Sequence, residues 1–432
     1  MRPRHPLSAP TGPRPGGVRL PFSALRYRDY RLYWMGLVAS VVGYQMSQLG
    51  LAWLAYDLTG RPRTLALLGL ATAGPAILLN LLGGTLADRL ERRRLIMATQ
   101  SAVLALMGVL AGLRLTGHLA VWHLLAIAGV SSAVFAFDTP ARQALYPRLL
   151  PRSALTSAVA LNSGVWQGSR IVGPALGGVL IARADAGWLF ALASLGALLM
   201  ALSVALVRPL PAEARTPTSP FHEVTEGVRF VKGTPLFAFL IGMAFCNSMF
   251  GMSYIFLLPV FAQDVLRVGA EGLGYLSAVG GVGSLLATLG AGALGEVPAR
   301  GLLLVGGATG FGLLLIAFAL SPWYPLSLLL LFLAGVAGSV YMVLTLSTLQ
   351  ERVPDRLRGR VMGIFSMTWS MMPLGAVQSG FIADAVSAPF AIALGGILTV
   401  AFALLPAVAS PALRRLRPLE AEPVPLVEPA GR

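Results

Sequence analysis

Long apolar runs, each about the length of a bilayer crossing, alternate with short polar connections rich in arginine along almost the whole chain. A hydrocarbon layer of ~30 Å takes about 20 apolar residues as a helix. Runs of that order occur at about Leu32–Asp57, Thr64–Ala87, Leu95–Leu113, Val121–Phe137, Leu155–Ala182 and Trp188–Val207. A second six follow at about Leu236–Ala262, Leu273–Leu294, Leu302–Leu320, Tyr324–Leu349, Val361–Ala383 and Pro389–Ala409. The least obvious division lies within Gly301–Gln350, fifty residues without a charge. One helix of that length would reach about 75 Å. A break is therefore expected at Ser321-Pro322-Trp323-Tyr324-Pro325, where two prolines stop a helix and two aromatics suit the membrane interface. The pattern predicts an all-α integral membrane protein with twelve transmembrane helices.

Composition agrees, since 56% of the 432 residues are hydrophobic and only 12% are charged, against about 25% charged in soluble domains. An ordinary soluble enzyme is excluded. The net charge of +15 would admit a nucleic-acid partner, but it comes almost wholly from arginine, with Lys232 the sole lysine, in short clusters between apolar runs. It reads as topological rather than as a nucleic-acid footprint. With both termini in the cytoplasm, 27 basic residues fall on the inner side and five (Arg61, Arg63, Arg114, Arg183, Arg267) on the outer, while Arg170 lies inside a span. The solitary Cys246 leaves no disulfide or thiol cluster, and His5, His118, His123 and His222 do not form a catalytic or metal-ligating set. No cofactor or metal is expected. The phosphate-binding pattern Gly-x4-Gly-Lys-Ser/Thr is absent, which leaves an ion gradient or simple equilibration as the energy source.

Residues 1–27, rich in Pro, Gly and Arg, read as a disordered basic cytoplasmic tail rather than a signal peptide. Residues 28–207 and 236–409 form two six-span halves, joined by a polar cytoplasmic linker at 208–235 that carries five of the 30 prolines, and 410–432 form a second tail. The halves echo each other: Gly84-x3-Asp88-x3-Arg92 recurs as Gly292-x3-Glu296-x3-Arg300, an offset of 208 residues. Two pseudo-symmetric six-helix bundles around a midplane site are the architecture of a secondary transporter.

The run Gly84-Thr-Leu-Ala-Asp88-Arg89-Leu-Glu-Arg92-Arg93-Arg94 resembles the loop signature of the major facilitator superfamily, G-x3-D-R/K-x-G-R-R/K, with Glu91 where the family has Gly. A carboxylate at a helix end followed by arginines can form an intracellular charge lock, with Asp88, Arg89, Arg92, Glu296 and Arg300 as its members; the alternative is that the arginines only anchor topology. Gly173-Pro174-x2-Gly177-Gly178 is similar to the fifth-span signature of the superfamily's drug:proton antiporters, although Ala160 and Ser169 stand at two of its upstream glycine positions. Small residues there permit close helix approach and Pro174 supplies a bend for alternating access, or the motif is generic small-residue packing. Asp138-Thr-Pro140-Ala-Arg142-Gln-Ala-Leu-Tyr-Pro147, Pro151-Arg152 with Asn162, and Val353-Pro354-Asp355-Arg356-Leu-Arg358-Gly359-Arg360-Val361 resemble the branch that holds the bacterial enterobactin exporter and macrolide-efflux proteins. The resemblance covers roughly residues 25 to 410. It implies the major facilitator fold, spans 1, 4, 7 and 10 lining a central cavity with support from 5, 8 and 11, a monomer in the bacterial inner membrane, and proton antiport.

Helical spacing places Met243, Asn247, Phe250 and Tyr254 of span seven on one face, at i, i+4, i+7 and i+11. Span five offers Asn162, Trp166 and Arg170, span one Tyr44, Gln45 and Gln48, and span ten Tyr341, Met342 and Thr345. Such a pocket suits a bulky, largely apolar solute, an anionic one included, and a sugar pocket would carry more hydrogen-bonding groups. Each aromatic taken singly is better explained by packing or lipid contact, and it is the alignment of stripes on several helices that points to a pocket. Arg170 is the one ionisable residue clearly at mid-membrane and hence a functional-site candidate; its structural alternative is pairing with backbone carbonyls or with a carboxylate such as Asp138. Drug exporters often carry an Arg within span four, and Val121–Phe137 has no charge. Asp57, Asp264 and Asp384 fall near outer ends and Asp88, Asp138 and Glu296 near inner ends, so proton coupling rests on the resemblance alone. The expectation is an alternating-access exporter with protons and a small molecule as its ligands. A proton-coupled or facilitated importer of the same fold is the alternative, and a membrane enzyme or scaffold fits less well.

Overall fold

The computed structural model describes residues 22–87, 91–208, 229–231, 233–294 and 300–409, with side chains left out at 80–87, 291–294, 356 and 406–409. Among the described residues every regular element is helical. Helices α1 (Arg28–Asp57), α2 (Arg63–Ala87), α3 (Arg92–Leu115), α4 (Val121–Leu145), α5 (Leu155–Arg183) and α6 (Ala186–Ala205) form a first group. The second comprises α7 (Pro235–Cys246), α8 (Tyr254–Val260), α9 (Gly269–Leu294), α10 (Arg300–Ala319), α11 (Tyr324–Arg352), α12 (Asp355–Trp369), α13 (Met372–Ala385) and α14 (Ala388–Ala409).

Nine segments of described residues are long and apolar enough to cross a membrane, α7 and α8 counting as one continuous segment, Pro235–Val265. Three of the twelve expected crossings fall outside that set for separate reasons. Helix α5 is long enough at 29 residues but carries Asn162, Gln167 and Arg170, with seven glycines and serines between Asn162 and its end. Side chains of α2 are described only to Leu79. The eleventh expected run is divided into α12 and α13 by a turn at Ser370–Met371, with Pro373 in the first turn of α13, where its missing N–H costs nothing. The expected break at Ser321–Trp323 separates α10 from α11.

Within the first group α1 packs on α5 and α6, α3 on α4 and α6, and α2 on α4; within the second, α11 packs on α9 and α10, and α14 on α10 and α13. The groups meet along α5 with α9 and α2 with α13. Backbone closeness there depends on glycine. A Cβ on Gly178 would sit 2.6 Å from the Ala270 carbonyl oxygen and 2.7 Å from Gly274 Cα, and one on Gly380 would sit 2.7 Å from the Ala66 nitrogen. Close backbone approach without bulky side chains is how helices associate where no hydrophobic drive exists between them.

The polar ties between the groups, among the described residues, lie at the ends that the arginine distribution assigns to the outside. The Tyr56 hydroxyl donates to Asp264, the Arg63 backbone N–H donates to Asp384 Oδ1 at 3.3 Å, and Arg183 lies 4.0 Å from Glu271.

Candidate functional site

Helix α5 positions the centre of the site because it touches both groups. Gly173 and Gly177 turn toward α1, where an added Cβ would meet Gln45 Cβ at 2.5 Å and the Leu49 side chain at 3.0 Å. Gly178 and the Pro174 carbonyl turn toward α9, the latter 2.7 Å from where a Cβ of Gly274 would lie. The motif Gly173-Pro174-x2-Gly177-Gly178 is therefore a two-sided close-packing surface interrupted by a proline. Two turns earlier along the helix, the Arg170 carbonyl faces Gly281 of α9, 3.3 Å from its missing Cβ.

Arg170 is exposed, yet it lies within electrostatic range of the hydroxyls of Tyr44 on α1 and Tyr254 on α8, one from each group. It thus opens into the cleft between the groups rather than to lipid. Among the described residues it makes no hydrogen bond and no ion pair. The structural alternative of pairing with Asp138 does not hold: that carboxylate is occupied by Arg142 on its own helix. Beside Arg170 stands an aromatic cluster. Tyr44 stacks on Phe135 with ring centroids 4.7 Å apart and planes 8° from parallel, and Trp166 meets both edge-on at 6.3 Å. Gln48 Nε2 donates to the Tyr44 hydroxyl at 2.9 Å. Across the cleft Tyr254 is held edge-on by Phe311 and Phe318, each at 6.5 Å. Offset and edge-to-face pairs of this kind fix ring orientation.

Other expected site residues are placed elsewhere. Asn162 Oδ1 accepts a hydrogen bond from the Tyr30 hydroxyl at 3.1 Å, near the start of α1, and Gln45 packs its Cβ on Gly173. Met243 and Tyr341 are buried in a packing core of the second group, and Met342 packs against that core. Asn247 is buried, while Phe250 is half-buried. The stripe expected from a 3.6-residue period is broken at Asn247–Gly251, where the chain takes a π turn. A π turn holds more residues than an α turn, so Tyr254 reaches the cleft on a different face from Met243.

Helix α4 runs to Leu145 through Pro140, and this buries charges that the sequence places at a helix end. Asp138 is 3% exposed and Arg142 7%. Asp138 Oδ1 accepts from Thr99 Oγ1 at 2.7 Å and Gln100 Nε2 at 3.0 Å, Oδ2 pairs with Arg142, and Arg142 donates on to Ser40 Oγ at 2.8 Å. The network joins α1, α3 and α4. Sequence reading missed it, together with Phe135; the i, i+4 spacing of Asp138 and Arg142 was the available signal.

Of the loop motif, Asp88, Arg89 and Glu296 lie outside the described residues, and Gly84 lies where side chains are not described. The two described arginines occupy matching places. Arg92 at the start of α3 donates to the Ala144 carbonyl near the end of α4 at 3.1 Å, and Arg300 at the start of α10 pairs with Glu351 near the end of α11 at 2.6 and 3.1 Å and with Ser347.

Nine helical segments long and apolar enough to cross a membrane, in two groups of helices with a cation that makes no ion pair among the described residues, are the pattern of a multi-pass membrane protein. The chain belongs to the family of transmembrane secretion effectors within the major facilitator superfamily, whose pattern it matches over residues 19–428. It is a transporter and not an enzyme. It is 25% identical to macrolide efflux protein A of Streptococcus pyogenes over 416 residues, covering 91% of this chain and 99% of that one. It is 27% identical to enterobactin exporter EntS of Escherichia coli O1:K1 / APEC over 338 residues, covering 77% of each. In fold it is similar to nucleoside transporter NupG, with a TM-score of 0.71 at 12% identity over 87% of this chain and 97% of that one. A bacterial homologue of the human lysosomal transporter Spinster aligns with a TM-score of 0.66 at 17% identity over 90% and 96%.

Proposed function

We propose that the protein exports bulky, largely apolar small molecules across the bacterial inner membrane by alternating access, exchanging them for protons. In this reading twelve crossings form two pseudo-symmetric six-helix bundles, residues 28–207 and 236–409, with both termini and the 208–235 linker in the cytoplasm. The cleft between the bundles carries Arg170, Trp166, Tyr44, Gln48 and Tyr254.

The observation that carries this reading is the set of ties that, among the described residues, joins the two groups at one end. Tyr56–Asp264, Arg63–Asp384 and Arg183–Glu271 gather there, while Arg170 stays exposed. A cleft tied shut at one end is one of the two states that alternating access needs. Export is favoured over uptake by the efflux proteins among the relatives, which are named for a macrolide and for enterobactin.

Everted membrane vesicles containing the protein test this reading. Energised with a proton gradient and given a macrolide, a hydrophobic dye and a catecholate siderophore, they are expected to accumulate at least one, and an uncoupler is expected to abolish the accumulation. Accumulation unaffected by the uncoupler would overturn proton exchange. Uptake by right-side-out vesicles alone would overturn export.

A further inference from the structure

We propose that Arg170 is the anion-binding residue of the cleft, and that the cleft selects aromatic organic anions over cations of the same shape. The inference rests on the transporter reading and names the substrate class for that site.

Two buried arginines show what a structural arginine looks like in this protein. Arg142 pairs with Asp138 and Ser40, and Arg300 pairs with both oxygens of Glu351 and with Ser347. Each is matched by a carboxylate within one neighbouring turn or helix. Arg170, at the centre of a 29-residue helix, has no such partner among the described residues. A guanidinium carries five donors and cannot shed its proton, and an ionisable residue within a span that faces a cavity rather than lipid marks a substrate or ion site by default. Its donors are completed by something that arrives there.

The surroundings specify what arrives. Two hydroxyls, Tyr44 from one group of helices and Tyr254 from the other, stand within electrostatic range of the guanidinium. The Tyr44 oxygen already accepts from Gln48, which leaves its O–H free to donate. A guanidinium with two hydroxyls in its vicinity offers only donors to complete, which suits a carboxylate or another flat anion, and the guanidinium fork binds such a group through two parallel bonds. Beside Arg170 the rings of Trp166, Tyr44 and Phe135 offer flat apolar surface for an aromatic body. Among the described residues Asp138 is bound by Arg142, Thr99 and Gln100, and Asp264 is engaged by Tyr56, so neither is free to receive a cation. An organic cation would meet Arg170 unscreened, which is discrimination by repulsion as well as by attraction.

The test compares 2-naphthoate with 2-naphthylmethylammonium, which share a ring system and differ in the sign of one charge. Binding to the full chain in lipid nanodiscs is measured by equilibrium dialysis, for the native protein and for R170Q and R170K. The native protein is expected to bind the anion about tenfold or more tighter than the cation. R170Q is expected to lose that preference, and R170K, which keeps the charge but not the fork, to retain part of it. Equal binding, tighter binding of the cation, or binding of neither probe by the native protein would overturn the proposal, and this comparison needs no variant to fold. A preference unchanged in R170Q would overturn it equally. Exchange of the same probes across proteoliposome membranes separates the two readings: selective binding without exchange defeats transport alone, whereas equal exchange of both probes defeats anion selection alone.

Discussion

Asp138 and Arg142 pair one turn apart on α4, whereas Arg170 on α5 makes no ion pair among the described residues. One network is closed and structural. The other is open and faces the cleft. The division of labour gives separate expectations for the two sites.

Removing one member of the closed network strands the other in an apolar interior, which costs roughly 3–5 kcal/mol where a buried pair is broken. Asp138→Asn and Arg142→Gln are each expected to lower the unfolding temperature of the protein in micelles by several degrees. The double variant is expected to lose clearly less than the sum of the two. Simple additivity would mean that Thr99, Gln100 and Ser40 hold each charge without its partner.

At the end that the arginine distribution assigns to the outside, the hydroxyl of Tyr56 and the carboxylate of Asp264 tie the two groups of helices. A hydrogen bond to a charged group contributes about 1.5–3 kcal/mol, so losing it shifts an open–closed equilibrium by roughly tenfold or more. Tyr56→Phe and Asp264→Asn are each expected to raise the population in which spin labels at positions 58 and 386, both exposed, lie farther apart. The Cys246→Ser background removes the one native thiol.

The α5–α9 contact tolerates no side chain at Gly178, whose Cβ would fall 2.6 Å from a backbone oxygen that cannot rotate away. Gly178→Val is expected to leave the protein in the membrane while reducing transport to a few per cent of the native rate. Native transport in this variant would show that the groups do not close through this contact.

Outside the membrane, burial favours the neutral form of Asp185, but hydrogen bonds from Arg114 at 2.9–3.1 Å and from the Gly187 N–H at 2.7 Å outweigh it and hold the carboxyl below the usual range. A depressed folded-state pKa stabilises at pH values above the unfolded value of about 3.9, and that stability is lost as pH falls through the folded one. Asp185→Asn is therefore expected to unfold at lower temperature than the native protein at pH 7. The gap should shrink as pH falls below about 4. A gap independent of pH would assign the loss to capping of α6 alone.

The spans were legible in the sequence because a bilayer forces backbone groups to pair within each segment, so an apolar run of sufficient length is a helix. Arg170 was legible for the same reason: a charge in such a run stands out. Partners across helices were less so. Phe135 looked like any aromatic in span four, and it became part of the site only when Tyr44 stacked on it. Asp138 read as a helix-end residue because the apolar run of span four stops at Phe137, yet α4 continues through Pro140 to Leu145 and both charges are buried. The face expected for Met243, Asn247, Phe250 and Tyr254 assumed a constant 3.6-residue period, and the π turn at Asn247–Gly251 changes the phase midway. Local backbone irregularities of this kind leave no hydropathy signal.

Alternating access is tested most directly by two distances in one protein. Spin labels at positions 58 and 386 report the outer end, and labels at the exposed positions 153 and 350 report the opposite end of the bundle. On adding a transported solute, the outer distance is expected to lengthen in the same fraction of molecules in which the inner one shortens. Distances that stay fixed with solute bound, or that lengthen together at both ends, would contradict a transporter that opens one side by closing the other.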